Sequence, residues 1–174
     1  MRTYVITASK HGSTREIGVA IARRLRERGH DAAALEAEDA GPLDADSAIV
    51  LGSPIYMGKW LKSARKVMDA LDAEPPGRMI FTFTVGPVGD PPNPVDAKPE
   101  EAVERFCAER AVTDRMFAGR LDRSKLGRLE RLAVKAVKAP DGDYRNWPAI
   151  EAWADGISDA LVAAGCARLE PASS

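Results

Sequence analysis

Thr3-Tyr4-Val5-Ile6-Thr7-Ala8-Ser9-Lys10-His11-Gly12-Ser13-Thr14-Arg15-Glu16-Ile17 changes period in its middle. Thr3–Thr7 is a short apolar, β-branched run and reads as a strand. From about Thr14 to Arg28 the apolar residues Ile17, Ile21 and Leu25 recur at helical spacing, and Gly29 supplies the stop. Between strand and helix lie three hydroxyls (Ser9, Ser13, Thr14) and one glycine, Gly12. The first amides of a helix have no intrahelical partner, and the helix dipole is positive there, so such a loop is suited to a phosphate. Gly12 allows close approach of the backbone. The loop lacks the Gly-Lys-Ser/Thr ending of a nucleotide P-loop and the three glycines of a dinucleotide fingerprint. Lys10 is placed to add a point charge. His11 has two readings, a donor to the anion or a residue facing water, and without a partner it is no catalytic base.

Outward from this stretch, apolar runs alternate with amphipathic helices, the pattern of βαβ units on a parallel sheet. Strands are expected at Asp31–Leu35, Ala48–Gly52, Met79–Thr84 and Arg115–Gly119, with helices at about Leu61–Leu71 and Pro99–Arg110. A last helix, capped by Asn146 with Pro148 in its first turn and ended by Gly165, carries Ile150, Trp153, Ile157 and Leu161 on one stripe. This order predicts a three-layer, doubly wound α/β fold with five parallel strands ordered 2-1-3-4-5. One domain spans 1–169, with a frayed tail at 170–174. In such a sheet a ligand lies beyond the carboxyl ends of the strands, between loops 7–14, 52–60 and 84–94.

Val5-Ile6-Thr7-x-Ser9-x-x-Gly12-x-Thr14 resembles the phosphate-loop signature of the flavodoxin superfamily, which usually carries an aromatic residue at the position of Thr7 and alanine at that of Gly18. The resemblance implies FMN as cofactor, its phosphate held by Ser9, Lys10, His11, Gly12, Ser13 and Thr14. It places the isoalloxazine ring against Ser53-Pro54-Ile55-Tyr56-Met57-Gly58, with Tyr56 as the first choice for a contact on the ring face. Trp60 has two readings, a second ring contact or an anchor for the following helix. Lys59 either sits near the flavin oxygens or is solvated. Thr84-Val85-Gly86 opens a Pro/Gly-rich loop whose main chain is placed to hydrogen-bond a ring edge.

Residues 120–138 exceed what a minimal flavodoxin needs. They hold seven basic and two acidic residues, a local charge of +5 in a chain of net charge -1. Leu126, Leu129, Ala133, Ala136 and Val137 form an apolar stripe at helical spacing, with Arg128, Arg131 and Lys135 roughly opposite. The stretch reads either as a solvated helix on the sheet edge or as a surface for an anionic substrate or membrane headgroups. Gly12-Ser13-Thr14-Arg15-Glu16-Ile17, the Ser53-Ile55-Tyr56-Gly58 spacing, Ala118-Gly119-Arg120-Leu121 before a basic helical insert (120–143), and Asp143 to Trp153 together resemble the menaquinone-dependent protoporphyrinogen IX dehydrogenases. The insert is less aromatic than in that family, with Tyr144 and Trp147 only at its far end.

Three functions follow as expectations. The first is an FMN oxidoreductase linking a porphyrinogen-type substrate to a quinone; the second is a flavodoxin-type electron carrier; the third is an FMN reductase using a nicotinamide or deazaflavin donor. Carriers tend to be strongly acidic, whereas this chain has 25 basic against 26 acidic residues. The same balance argues against a general nucleic-acid binder. No catalytic acid/base residue and no metal site is expected. Cys107 and Cys166 stand alone, without metal spacing, and read as reduced packing residues. With no signal peptide and no membrane span, the expected location is cytoplasmic, with contact at the inner face of the membrane as a variant.

Overall fold

A computed structural model describes residues 1–56, 58–86, 100–110, 112, 114–122, 124 and 141–167, the side chains of 166 and 167 excepted. The β-branched run at the N terminus forms β1 (Thr3–Thr7), and the Ile17/Ile21/Leu25 stripe lies on α1 (Ser13–Glu27), all three residues fully buried. Gly29 ends α1 as expected. At φ 89° it turns the chain so that its own N–H reaches Arg26 O and the N–H of His30 reaches Leu25 O. The chain continues through β2 (Ala32–Glu36), β3 (Ala48–Tyr56), β4 (Lys59–Trp60), α2 (Lys62–Asp72), β5 (Ile80–Gly86), α3 (Glu101–Glu109) and β6 (Asp114–Ala118). It ends with the short strands β7 (Arg120–Leu121) and β8 (Gly142–Asp143) and the helix α4 (Trp147–Ala167).

The sheet runs β2-β1-β3-β5-β6, all neighbours parallel, with β4 paired to β3 as an antiparallel extension. Apart from the number that β4 takes, this is the expected doubly wound order. Alternation along the strands divides the core into two layers. Val5, Val50, Phe83, Val85 and Phe117 pack under α1 and α4, against Ile17, Ile21, Ile150 and Ile157. Ile6, Ile49, Leu51 and Ile80 pack on the opposite face against Ala64, Met68 and Leu71 of α2 and Val103, Phe106 and Cys107 of α3.

Two glycines permit this packing by lacking a side chain. A Cβ on Gly52 would lie 2.1 Å from Cζ of Phe83, so the Phe83 ring occupies that space and meets Phe117 and Trp153 at 6.0 and 5.8 Å. A Cβ on Gly18 would lie 2.5 Å from Cγ2 of Thr7. The two departures from the phosphate-loop signature therefore meet at one contact, the Thr7 methyl filling the space that a Cβ at position 18 would take.

Some boundaries differ from expectation. β3 runs on through Pro54 to Tyr56, where a bare loop was expected, because Gly58 at φ 75° turns the chain back and pairs Ile55 with Trp60 and Tyr56 with Lys59. α4 is capped by Asn146, whose Oδ1 accepts from the Ala149 N–H at 3.0 Å, but it continues past Gly165 to Ala167. The expected basic insert is not helical at its ends: Arg120 pairs with Asp143, and Leu121 with Gly142, as antiparallel strands. The stripe at 126–137, residues 87–94 of the third loop and the tail 170–174 lie outside the described residues.

Candidate functional site

The parallel register brings the expected loops together at one end of the sheet. Thr7 lies beside Gly52, Ser53 beside Thr84, and Gly86 beside Ala118. The first loop leaves β1 with its backbone anchored, the Ala8 N–H donating to Gly52 O at 2.9 Å. Gly12 stands at the N-cap of α1 with φ 88°, in the left-handed region, and no side chain caps the helix. The amides of the first turn are thus offered beside a residue without a side chain. Ser9 Oγ accepts from the Gly12 N–H at 3.1 Å. Ser13 Oγ accepts from the Arg120 N–H at 3.0 Å, and Thr14 is 1% exposed.

The first and second loops meet at Tyr56. The Lys10 ammonium sits 5.7 Å from the centre of the Tyr56 ring, and the His11 ring meets it edge-on at 6.2 Å. The partly buried phenol thus lies next to the phosphate loop, with a cation and an imidazole on its surroundings.

Other expected site residues hold the walls. Ser53 is fully buried; its hydroxyl donates to Pro54 O and accepts the Leu61 N–H, both at 3.0 Å, which fixes the hairpin to the start of α2. Trp60 is 2% exposed and donates its indole N–H to Thr84 Oγ1 at 2.9 Å, which favours the anchoring reading over a ring contact. The side chains of Thr84 and Val85 are buried, so this part of the wall offers a ligand main chain. Pro54 is buried, Ile55 half-buried, Gly86 buried, and Gly58 and Lys59 exposed. Met57, Arg128, Arg131 and Lys135 lie outside the described residues.

Behind the phosphate loop stands a charge cluster that the sequence reading missed. Glu16, in the first turn of α1, accepts from Arg145 Nη1 at 2.6 Å and from Arg120 Nη2 at 3.1 Å. Arg145 also forks onto Asp143, with bonds of 2.7 and 2.5 Å, and lies over the Trp147 ring at 4.5 Å. Burial alone would push the Glu16 carboxyl up, but the Arg145 hydrogen bond and both guanidinium charges bring it below the ordinary range. The same Arg145 fork lowers Asp143. The available signal was an Asp-x-Arg pair at 143–145 and an acid in a first helical turn, and neither points across the 129 positions to its partner.

The donor set fits a flavin mononucleotide: uncapped helix amides beside a bare Gly12, hydroxyls at Ser9 and Ser13, and an aromatic ring beyond them. The family described as "Flavodoxin domain" matches residues 4–146. The chain belongs to the flavodoxin domain family. Membership implies FMN as its cofactor. Among solved structures, this flavodoxin-domain chain is similar to oxidised flavodoxin 1 from Bacillus cereus, at 17% identity and a TM-score of 0.55, over 81% of this chain and 100% of that one. It is also similar to a flavodoxin from the domain Archaea, at 18% identity and a TM-score of 0.54, over 79% of this chain and 97% of that one. Rubredoxin oxygen:oxidoreductase from the anaerobe Desulfovibrio gigas shares 12% identity at a TM-score of 0.57, over 93% of this chain but 36% of that one. At such identities the likeness is one of fold. Among curated proteins no match is found.

Proposed function

We propose that this flavodoxin-domain protein is an FMN-dependent oxidoreductase that links a small-molecule substrate of the porphyrinogen type to a quinone. The observation that carries the reading is the β7–β8 pair. Arg120–Leu121 and Gly142–Asp143 close on each other and are tied to Ser13 and Glu16, so segment 122–141 leaves and rejoins the fold beside the phosphate loop. The match to the Bacillus cereus flavodoxin uses all of that chain and 81% of this one. An addition at the cofactor end of the sheet suits an enzyme that must receive a substrate more than a carrier that presents its flavin edge to a protein.

FMN supplies the electron exchange when bound. The uncapped start of α1 holds its phosphate, Tyr56 offers a ring face, and the main chain at Thr84–Gly86 lies beside them, braced by Trp60 and Ser53. Each electron pair and its protons removed from the substrate end on the quinone as quinol. The charge of residues 120–138 gives a substrate's carboxylates, or anionic lipid around a quinone, an attractive surface through Arg128, Arg131 and Lys135. In the described residues no helix is long and apolar enough to cross a membrane.

The test is anaerobic turnover. Reconstituted with FMN, the protein is expected to oxidise protoporphyrinogen with a menaquinone analogue. Neutralising Arg128, Arg131 and Lys135 together is expected to raise the apparent KM for substrate with a smaller change in kcat. A flavin that is reducible but passes no electrons between these substrates would overturn the proposal in favour of an electron carrier. Reduction by a nicotinamide or deazaflavin alone would favour a reductase.

A further inference from the structure

Arg120 occupies an unusual place. Its backbone N–H is bound to Ser13 Oγ, a hydroxyl of the phosphate loop itself, at 3.0 Å. Its guanidinium rests on Glu16, and Glu16 Oε1 lies both 3.1 Å from Arg120 Nη2 and 3.7 Å from the point where a side chain on Gly12 would begin. One carboxylate oxygen therefore separates this cation from the bare backbone of the phosphate loop.

The two arginines on Glu16 are held unequally. Arg145 is 4% exposed, bonded to Glu16 at 2.6 Å, forked onto Asp143 and stacked on Trp147. It is a fixed part of the frame. Arg120 is 28% exposed, and its bonds to Glu16 are longer, at 3.1 and 3.4 Å. If Arg120 turned away, Glu16 would keep its Arg145 partner. A phosphate monoester carries about 1.5 to 2 negative charges at neutral pH, more than the single carboxylate that Arg120 now shares. A guanidinium fork also suits phosphate oxygens geometrically.

We propose that Arg120 is a further cofactor-binding residue, a guanidinium that turns from Glu16 to the phosphate of FMN and makes the site selective for the phosphorylated flavin over riboflavin. Glu16, neutralised by Arg145, parks Arg120 next to the loop until the phosphate arrives. This rests on the cofactor reading above and adds to it a residue of β7, remote in sequence from the loop.

The experiment titrates apoprotein with FMN and with riboflavin, following quenching of flavin fluorescence. Arg120→Gln is expected to weaken FMN by about tenfold, the scale of one charge-assisted hydrogen bond, and to leave riboflavin unchanged. Arg120→Lys keeps a charge at the same backbone position and is expected to recover most of the FMN affinity. The decisive arm repeats Arg120→Gln in a Glu16→Gln background. A direct partner of the phosphate still shows the loss there, whereas a residue that merely offsets Glu16 shows none. The proposal is overturned if Arg120→Gln leaves FMN affinity intact, if it weakens both flavins alike, if Arg120→Lys binds as weakly as Arg120→Gln, or if the loss vanishes without Glu16. Wild-type protein that binds neither flavin overturns the cofactor reading itself.

Discussion

Thr7 and Gly18 show how two residues that each depart from a family pattern make sense together. The Thr7 methyl occupies the space that an alanine at position 18 would need, 2.5 Å from its Cβ. Gly18→Ala, usually favourable in a helix, is therefore expected to cost about 1–3 kcal/mol here through overpacking, measured by urea unfolding. Thr7→Ser, which deletes the clashing methyl, should restore most of that loss in the double variant; a double variant as weak as Gly18→Ala would refute the account. Asp114 is a second site where one residue decides. Its carboxyl is buried at the start of β6, where burial pushes it up against the opposing effect of the Thr84 and Thr82 hydroxyls, and among the described residues its Oδ1 has no hydrogen-bond partner. A raised carboxyl binds its proton more tightly when folded, so stability falls as pH rises from the ordinary aspartate value through the folded one. Asp114→Asn removes that dependence. Its melting temperature relative to wild type is expected to be higher at pH 7 than at pH 4, and an equal difference at both would refute the assignment.

At the scale of elements, ionic contacts fasten helices and strands that are remote in sequence. Arg24 and Asp155 join α1 to α4 through two bonds of 2.8 and 2.9 Å, with Arg28–Asp159 at 2.8 Å one turn along. The Arg24–Asp155 pair is partly buried and Arg28–Asp159 more exposed, and both add modestly to the apolar packing of the same two helices. The Glu16–Arg145–Asp143 cluster is built on a buried arginine and does a different task, holding β7 and β8 against the start of α1. Both carboxyls lie below their ordinary values of 4.5 and 3.8, so the stability they contribute is present above those values and is lost as pH falls through the folded ones. Glu16→Gln should lower the melting temperature at pH 7, and the gap to wild type should narrow as pH falls from the ordinary value of 4.5 through the lowered folded one, where the native carboxyl takes up its proton. A gap that does not narrow with falling pH would show that shape rather than charge holds the cluster.

For the whole molecule, strand order and helix faces were legible because they are periodic. Ile17, Ile21 and Leu25, or Ile150 and Ile157, announce their buried sides at a spacing that only a helix satisfies. The turn from β1 into α1 was legible because its signals are local, from Ser9 to Thr14. The β3–β4 hairpin was not, since Pro54 and Gly58 suggest irregular chain, and it is the ladder from Ile55 to Trp60 that organises them. Nor was it visible that Ser53, Trp60 and Thr84 hold one another, because residues 24 apart, such as Trp60 and Thr84, are joined only once β5 lies beside β3. The Glu16 cluster was the least legible part, being made from three segments with no shared pattern.

The β7–β8 ladder has a consequence for how such a chain can be remodelled. Leu121 and Gly142 face each other as an antiparallel pair, so the distance between them is one that a two-residue turn spans. The β7–β8 ladder is then a doorway at which the chain can be rejoined without cutting the parallel sheet. Joining Leu121 to Gly142 through Asn-Gly is expected to yield a shortened protein that still folds and binds FMN but, under the function proposed above, no longer turns over a porphyrinogen. The same doorway would accept a foreign loop, offering one flavin body on which different substrate ports can be installed.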